Sequence, residues 1–272
     1  MIFVRDKGRM CNNILQYGHL YAWGREHRRS TMSMRFAYKY RYFRICHTPH
    51  HNFLTYVMAK YAAKWGLLPV ADFGVDAPND PERQEKCLLS HRHIVAEGWY
   101  ARFYDLFLKY KPEIVSLFEF DDDVKVPADR LLASLPPADV RLGVHIRRGD
   151  YRTWHGGRYF FNDGQYISLI RQFLALQQGK AVQVFVCGND PELDEDAYRQ
   201  ALPGVSLAFA KGNPGEDLYL LSQCHWLMGA PSTFTLVAAM YHDAPLYWID
   251  DAARPLSMAA FGHFDELFKQ IK

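Results

Sequence analysis

The sequence predicts an α/β protein with parallel sheets, and three observations carry that prediction. From Arg141 to Ile249, short apolar runs alternate with helical stretches, as in the strand–helix crossovers of a doubly wound sheet. The chain opens with the same alternation, since Ile2-Phe-Val4 reads as a strand, Gly8 as a turn, and a helix follows. With 272 residues, the chain is longer than one core requires, so two domains are expected.

In chain order, Asn12 or Asn13 is placed to cap a helix running to about His27, with Ile14, Leu15, Tyr17, Leu20 and Tyr21 as its apolar face. Residues 30–75 give little periodicity except a helix over 55–65, ended by Gly66. A charged helix is expected over 80–90 and a strand over 94–100. Aromatic residues recur at helical spacing over 103–108 and 112–118, a pattern that serves core packing. Asp121-Asp-Asp123 and Pro136-Pro137 then punctuate a polar link. The expected domains are 1–136 and 137–257, with a helix over 258–272 that returns to the first. In the second domain, strands are expected over 141–146, 183–188, 205–209, 226–229 and 245–249. Helices are expected over 165–176, 192–200, 217–222 and 232–241, the last capped by Ser232.

Composition bounds the function. A hydrophobic fraction of 49% with 23% charged residues is that of a soluble globular protein, and a net charge of +2 selects no partner. Arg25, Arg28, Arg29, Arg35, Lys39, Arg41 and Arg44 crowd one stretch, as a solvated face or as attraction to an anionic surface or acceptor. RNA is disfavoured, since no aromatic-basic sheet motif accompanies them. The five cysteines are scattered without zinc or disulfide spacing, which suits reduced thiols in the cytoplasm. No secretory leader and no apolar stretch of bilayer length is read, so membrane contact is expected to be peripheral, at the inner face.

Chemistry gathers at strand ends in the second half. His145-Ile-Arg147-Arg148-Gly-Asp150-Tyr151 follows an apolar strand. Adjacent arginines are poor core material, but their guanidinium forks suit pyrophosphate oxygens. Gly188-Asn189-Asp190-Pro191 ends the next strand, Glu216-Asp217 opens a helix, and Pro231-Ser232-Thr233-Phe234 presents hydroxyls and free N–H groups at a helix N-terminus, a ready anion site. No metal constellation, P-loop, nucleophile elbow or Gly-x-Gly-x-x-Gly occurs, and His47, His50 and His51 read as a basic loop. These features admit a nucleotide-sugar transferase or a non-catalytic protein that binds nucleotide or glycan.

The same residues carry a resemblance. His145 to Tyr151 resembles the His-x-Arg-Arg-x-Asp motif of the α-1,2-fucosyltransferase family (glycosyltransferase family 11), shared with α-1,6- and protein O-fucosyltransferases. Val184 to Pro191 is similar to a second shared motif, and Asp217 to Gln223 followed by Ser232 to Phe234 to a third. Gly8 to Tyr17 is similar to the family's opening, with Cys11 in place of its usual glycine and Asn13 in place of its glutamine. The resemblance implies a GT-B fold of two facing Rossmann-like domains, GDP-β-L-fucose as donor, inversion, no cofactor and no metal. It implies transfer to a galactoside in α-1,2 linkage, on a glycan or lipid-linked oligosaccharide. Arg147 would meet the β-phosphate. His145, Arg148, Asn189, Asp190, Asp217, Ser222, Ser232 and Thr233 would complete the donor site, with Arg148 alternatively a structural anchor of the loop, and Arg9, Asn12 and Asn13 would lie on the acceptor side. His155 stands near the place where α-1,6 relatives carry a glutamate, and a histidine is a residue type suited to act as a general base. Asp150 is the rival base, weakened by its two arginine neighbours.

Overall fold

The structure, a computed structural model, describes residues 1–5, 7–74, 80–188 and 190–271. It divides into two compact units, Met1–Asp121 with Ile271, and Asp122–Gln270.

The first unit holds β1 (Ile2–Arg5), α1 (Met10–Glu26), β2 (Thr31–Ser33), α2 (Phe36–Lys39), α3 (Phe53–Lys64), β3 (Val70–Asp72), α4 (Pro81–Leu89), β4 (Ile94–Glu97), α5 (Tyr104–Lys109) and α6 (Lys111–Leu117). Its sheet runs β2-β1-β4-β3 with every pairing parallel. α1 is apolar on most sides, with Ile14, Leu15, Tyr17, Leu20 and Trp23 buried. Gly18 lets it approach α5, since a Cβ there would lie 2.3 Å from the Phe107 ring. Two expectations change here. Arg9, not an asparagine, is the N-cap of α1, and no side chain caps it. The short strands β2 and β3, three residues each, escaped notice because they are too brief to show a period.

The second unit holds α7 (Asp122–Ala133), β5 (Val140–Ile146), α8 (Asp163–Leu176), β6 (Val182–Gly188), α9 (Glu195–Ala201), β7 (Ser206–Phe209), α10 (Pro214–Ser222), β8 (Trp226–Gly229), α11 (Thr233–His242), β9 (Leu246–Trp248) and α12 (Phe264–Phe268). Its sheet runs β7-β6-β5-β8-β9, again wholly parallel. Along β5 the pleat separates two faces. Leu142, Val144 and Ile146 join Tyr166, Leu169, Ile170 and Phe173 of α8 in the core, while Gly143 accommodates Leu221 of α10 on the opposite face. Strand order therefore reverses between β5 and β8. In doubly wound sheets, the crevice at the carboxyl end of such a reversal is where ligands bind.

The units divide at 121/122, where the expected division lay at 136/137. The polar link is mostly helix: Asp122 and Asp123 lie in its first turn, Val124 and Ala128 are buried one turn apart, and Tyr219 of α10 donates to Asp129 at 2.9 Å. The chain end differs too. Phe264, Leu267 and Phe268 of the short α12 are buried within the second unit, and the first regains the chain only at Ile271, whose carbonyl accepts from the Tyr104 hydroxyl at 2.7 Å.

Candidate functional site

The end of β5 is framed by two glycines. A Cβ on Gly188 of β6 would lie 2.8 Å from the Ile146 carbonyl oxygen, and one on Gly229 of β8 would lie 2.7 Å from that of His145. The neighbouring strands thus press close where the motif leaves the sheet. Beyond Ile146 the chain makes a single helical turn at Gly149–Arg152 and then a kinked turn at Trp154–Gly157, where His155 and Gly156 have left-handed backbone, before α8 begins.

Arg147 is largely shielded, with 13% of its side chain exposed. Its fork grips Asp150, Nε donating to Oδ1 at 3.1 Å and a terminal nitrogen to Oδ2 at 3.0 Å. The guanidinium also lies over the Tyr151 ring, 5.2 Å from its centre. The Tyr151 hydroxyl donates to the Pro231 carbonyl, joining the loop after β5 to the loop after β8. His145 reinforces that junction by stacking on Phe234 of α11, ring centres 4.8 Å apart. Burial first, then Arg147, pushes the His145 pKa down to about 3, so its ring is neutral at ordinary pH.

The N-terminus of α11 lies at this junction. Ser232 caps it, its Oγ accepting from the Phe234 N–H at 3.1 Å, and Thr233 is its first residue. Asp217 stands in the first two turns of α10, beside Cys187 at the end of β6. Its Oδ1 is buried without a hydrogen bond. Burial, then the neighbouring Glu216, pushes its carboxyl up to about 7. Arg147, Asp217, Ser232 and Thr233 thus belong to loops and helix starts that follow β5, β7 and β8 of one parallel sheet.

Other expected residues do different work. Arg148 is no phosphate ligand here. It is 4% exposed, and its donors are committed to the Phe161 carbonyl at 2.9 Å, Asp190 at 3.2 Å and Asp163. Asp190 pairs with it, and its other oxygen accepts from the Glu192 N–H at 3.0 Å. Ser222 is buried at the far end of α10, donating to the Tyr219 carbonyl at 2.7 Å; α10 carries it away from the strand ends that hold Asp217. Asn189 lies outside the described residues. His155 is exposed in a left-handed conformation (φ 47°) against the Trp154 ring, and Asp150 is half exposed. In the first unit, Asn13 turns inward to donate to the Gly8 and Arg9 carbonyls at 3.1 and 2.8 Å. Arg9 is exposed, and Asn12 adjoins Gly8. His51 does not belong to a basic loop: it is buried, accepts from the Ser33 N–H at 3.0 Å, and burial pushes its pKa down to about 4.

Sequence reading missed Asp163, Tyr198, Tyr151 and Phe234 as parts of the site's frame. Tyr198 donates to Asp163 at 3.0 Å and completes the buried cluster around Arg148. It also missed Gln16, which donates to the Lys7 carbonyl at 2.6 Å and accepts from the Lys7 N–H at 3.2 Å, bracing the loop after β1. Among the described residues, no three His, Cys, Asp or Glu side chains gather as a metal site. Nor is any helix of the described residues long and apolar enough to cross a membrane.

No family model matches the chain. A mouse protein, galactoside 2-alpha-L-fucosyltransferase Sec1, is 27% identical over 188 residues, covering 61% of this chain and 48% of its own. Rat galactoside alpha-(1,2)-fucosyltransferase 1 is 26% identical over 209 residues, covering 63% and 50%. The chain resembles the α-1,2-fucosyltransferases. It spans about half the length of these curated relatives. Among solved structures, an Arabidopsis thaliana FUT1 mutant in complex with GDP has a TM-score of 0.65 at 12% identity, over 96% of this chain and 73% of that one. The α-1,6-fucosyltransferase NodZ, soaked with GDP-fucose, has a TM-score of 0.59 at 15% identity, over 96% and 97%. These likenesses establish the α/β fold with parallel sheets, and the resemblance read from the motifs is borne out.

Proposed function

We propose that this chain is a GT-B glycosyltransferase that moves L-fucose from GDP-β-L-fucose to a galactoside hydroxyl, in α-1,2 linkage, with inversion and without a metal. The observation that carries the reading is Arg147 placed beside the N-terminus of α11 at the strand-order reversal, in a chain similar to galactoside α-1,2-fucosyltransferases.

The chemistry follows from charge. As the bond between the sugar carbon and the β-phosphate oxygen breaks, its electron pair stays on GDP. Arg147 would leave Asp150 for that phosphate. The α11 N–H groups and dipole, with the Ser232 and Thr233 side chains, would share the load. Asp217 would accept from guanine or ribose. The acceptor oxygen attacks from the opposite face and bonds to the sugar carbon, and its proton passes to a base. His155 fits that role: its ring nitrogens make no hydrogen bond to a described residue, and Gly156-Gly157 leave space beside it. Asp150, once Arg147 turns to phosphate, is the alternative. Arg9, Asn12 and Asn13 are assigned to the acceptor side, Asn13 by shaping the loop. The acceptor is a glycan, free or lipid-linked. The assigned location is the cytoplasm, supported by five free thiols.

The test is ligand-linked stability followed by turnover. At about 100-fold excess over Kd, GDP and GDP-fucose should stabilise the protein by roughly 2.7 kcal/mol, whereas UDP should not. Transfer to β-galactosides then completes the case. Stabilisation by UDP instead would indicate a different nucleotide sugar, and GDP binding without transfer or donor hydrolysis would indicate a non-catalytic binder.

A further inference from the structure

α3 is turned inside out for a surface helix. Of its twelve residues only Ala59 is buried. Leu54, Met58, Tyr61 and Trp65 (its C-cap) recur at i, i+4, i+7 and i+11, so they form one stripe, and they are 70%, 65%, 40% and 68% exposed. Phe53 at the start and Leu67 just beyond the end extend it, at 74% and 70% exposed. Exposed apolar surface gathered in this way marks a docking face.

The surrounding charge says what docks. Between Glu26 and Asp72 the sequence contains no acidic residue, against five arginines and three lysines. Two of the lysines lie on α3 itself. Lys60 sits over the Tyr56 and Tyr61 rings at 5.8 and 5.9 Å, and Lys64 is exposed one turn later. Arg44 and His47 do meet Glu119 and Asp121, both outside this stretch, so the excess is reduced near the turn before α3 but not on it. An isologous contact between two copies would set these like charges against each other. An anionic bilayer satisfies both halves of the pattern: Leu, Met and Phe enter the acyl boundary, Tyr and Trp take the headgroup level, and lysines reach lipid phosphates.

We propose that α3 and its following turn form a monotopic docking surface for an anionic lipid bilayer. The inference stands independently of the nucleotide assigned to the second unit. It places the first unit against the surface on which a lipid-carried acceptor would be presented.

Flotation with vesicles of neutral phosphatidylcholine, and of the same lipid with roughly a third phosphatidylglycerol, tests it. Wild type should bind the anionic vesicles and release from them as salt is raised. Lys60→Glu and Lys64→Glu should each weaken binding at least fivefold, from the approximate worth of one basic residue near an anionic surface. Leu54→Ser, Met58→Ser and Trp65→Ser together should reduce it more than tenfold. Circular dichroism and the thermal midpoint should remain those of the wild type, since all three side chains are exposed. Equal binding to neutral vesicles, unchanged binding by the triple variant, or a dimer that the triple variant abolishes would each overturn the proposal.

Discussion

In the proposed role, Asp217 would set nucleotide recognition against stability, and the opposition is measurable. Its carboxyl is pushed from 3.8 up to about 7, by burial first and Glu216 second. A pKa raised on folding stabilises the native state fully below the unfolded value. That contribution is lost as pH rises through the interval up to the folded one. A shift of roughly 3 units corresponds to about 4 kcal/mol at 1.36 kcal/mol per unit. Against Asp217→Asn, which keeps the shape and cannot ionise, wild type should therefore be about 1 kcal/mol less stable at pH 4.5 and about 4 kcal/mol less stable at pH 8. Urea midpoints at constant slope give the comparison directly. GDP affinity should move the other way, with the asparagine variant losing at least tenfold at pH 8, where the wild-type carboxylate is ionised. Parallel pH profiles of stability for the two proteins would refute the reasoning.

Arg147→Lys keeps the charge and loses the fork, so turnover should fall by about 10²–10³, as for loss of one donor to developing charge; near-normal turnover removes the assigned role. His155→Ala should abolish transfer and leave the GDP-induced thermal shift intact, and wild-type rates at saturating substrates would pass the role of base to Asp150. Arg148→Met strands the carboxylates of Asp163 and Asp190 and should cost about 3–5 kcal/mol in unfolding free energy, a buried pair broken on one side. Gly229→Ala puts a methyl 2.7 Å from the His145 carbonyl oxygen, and denaturant unfolding should record a loss of about 1–3 kcal/mol.

The second unit was legible because its strands are long enough to show apolar runs and its helices carry caps. Asn162 and Asn213 each form a capping box, and Ser232 caps as expected. The stretch 121–136 was not legible. Three aspartates and Pro136-Pro137 look like a linker, whereas Val124 and Ala128 of α7 are buried and Asp129 accepts from Tyr219 of α10, a tertiary contact with no local signature. The two motif arginines show a second limit. Residue type and spacing treat Arg147 and Arg148 alike, yet adjacent residues leaving a strand point apart. Arg147 grips Asp150 over the Tyr151 ring, while Arg148 is buried among Asp163, Asp190 and the Phe161 carbonyl. Which arginine is structural depends on where Asp163 lies in space, fifteen residues along the chain. Asn13 shows the same limit: a polar residue near a helix start reads as a cap, whereas its side chain closes the preceding loop.

If Arg147 binds the donor as proposed, its grip on Asp150 means that the site answers to itself before it answers to a ligand. A single carboxylate already fills the fork with near-ideal bidentate geometry. An incoming monoanion would exchange like for like and gain little, whereas a diphosphate brings more charge and a second set of oxygens for the α11 N–H groups. Under the proposed function, the tethered carboxylate would act as an internal competitor that sets a threshold: abundant small acids would stay below it, and only an anion able to engage both the fork and the helix end would exceed it.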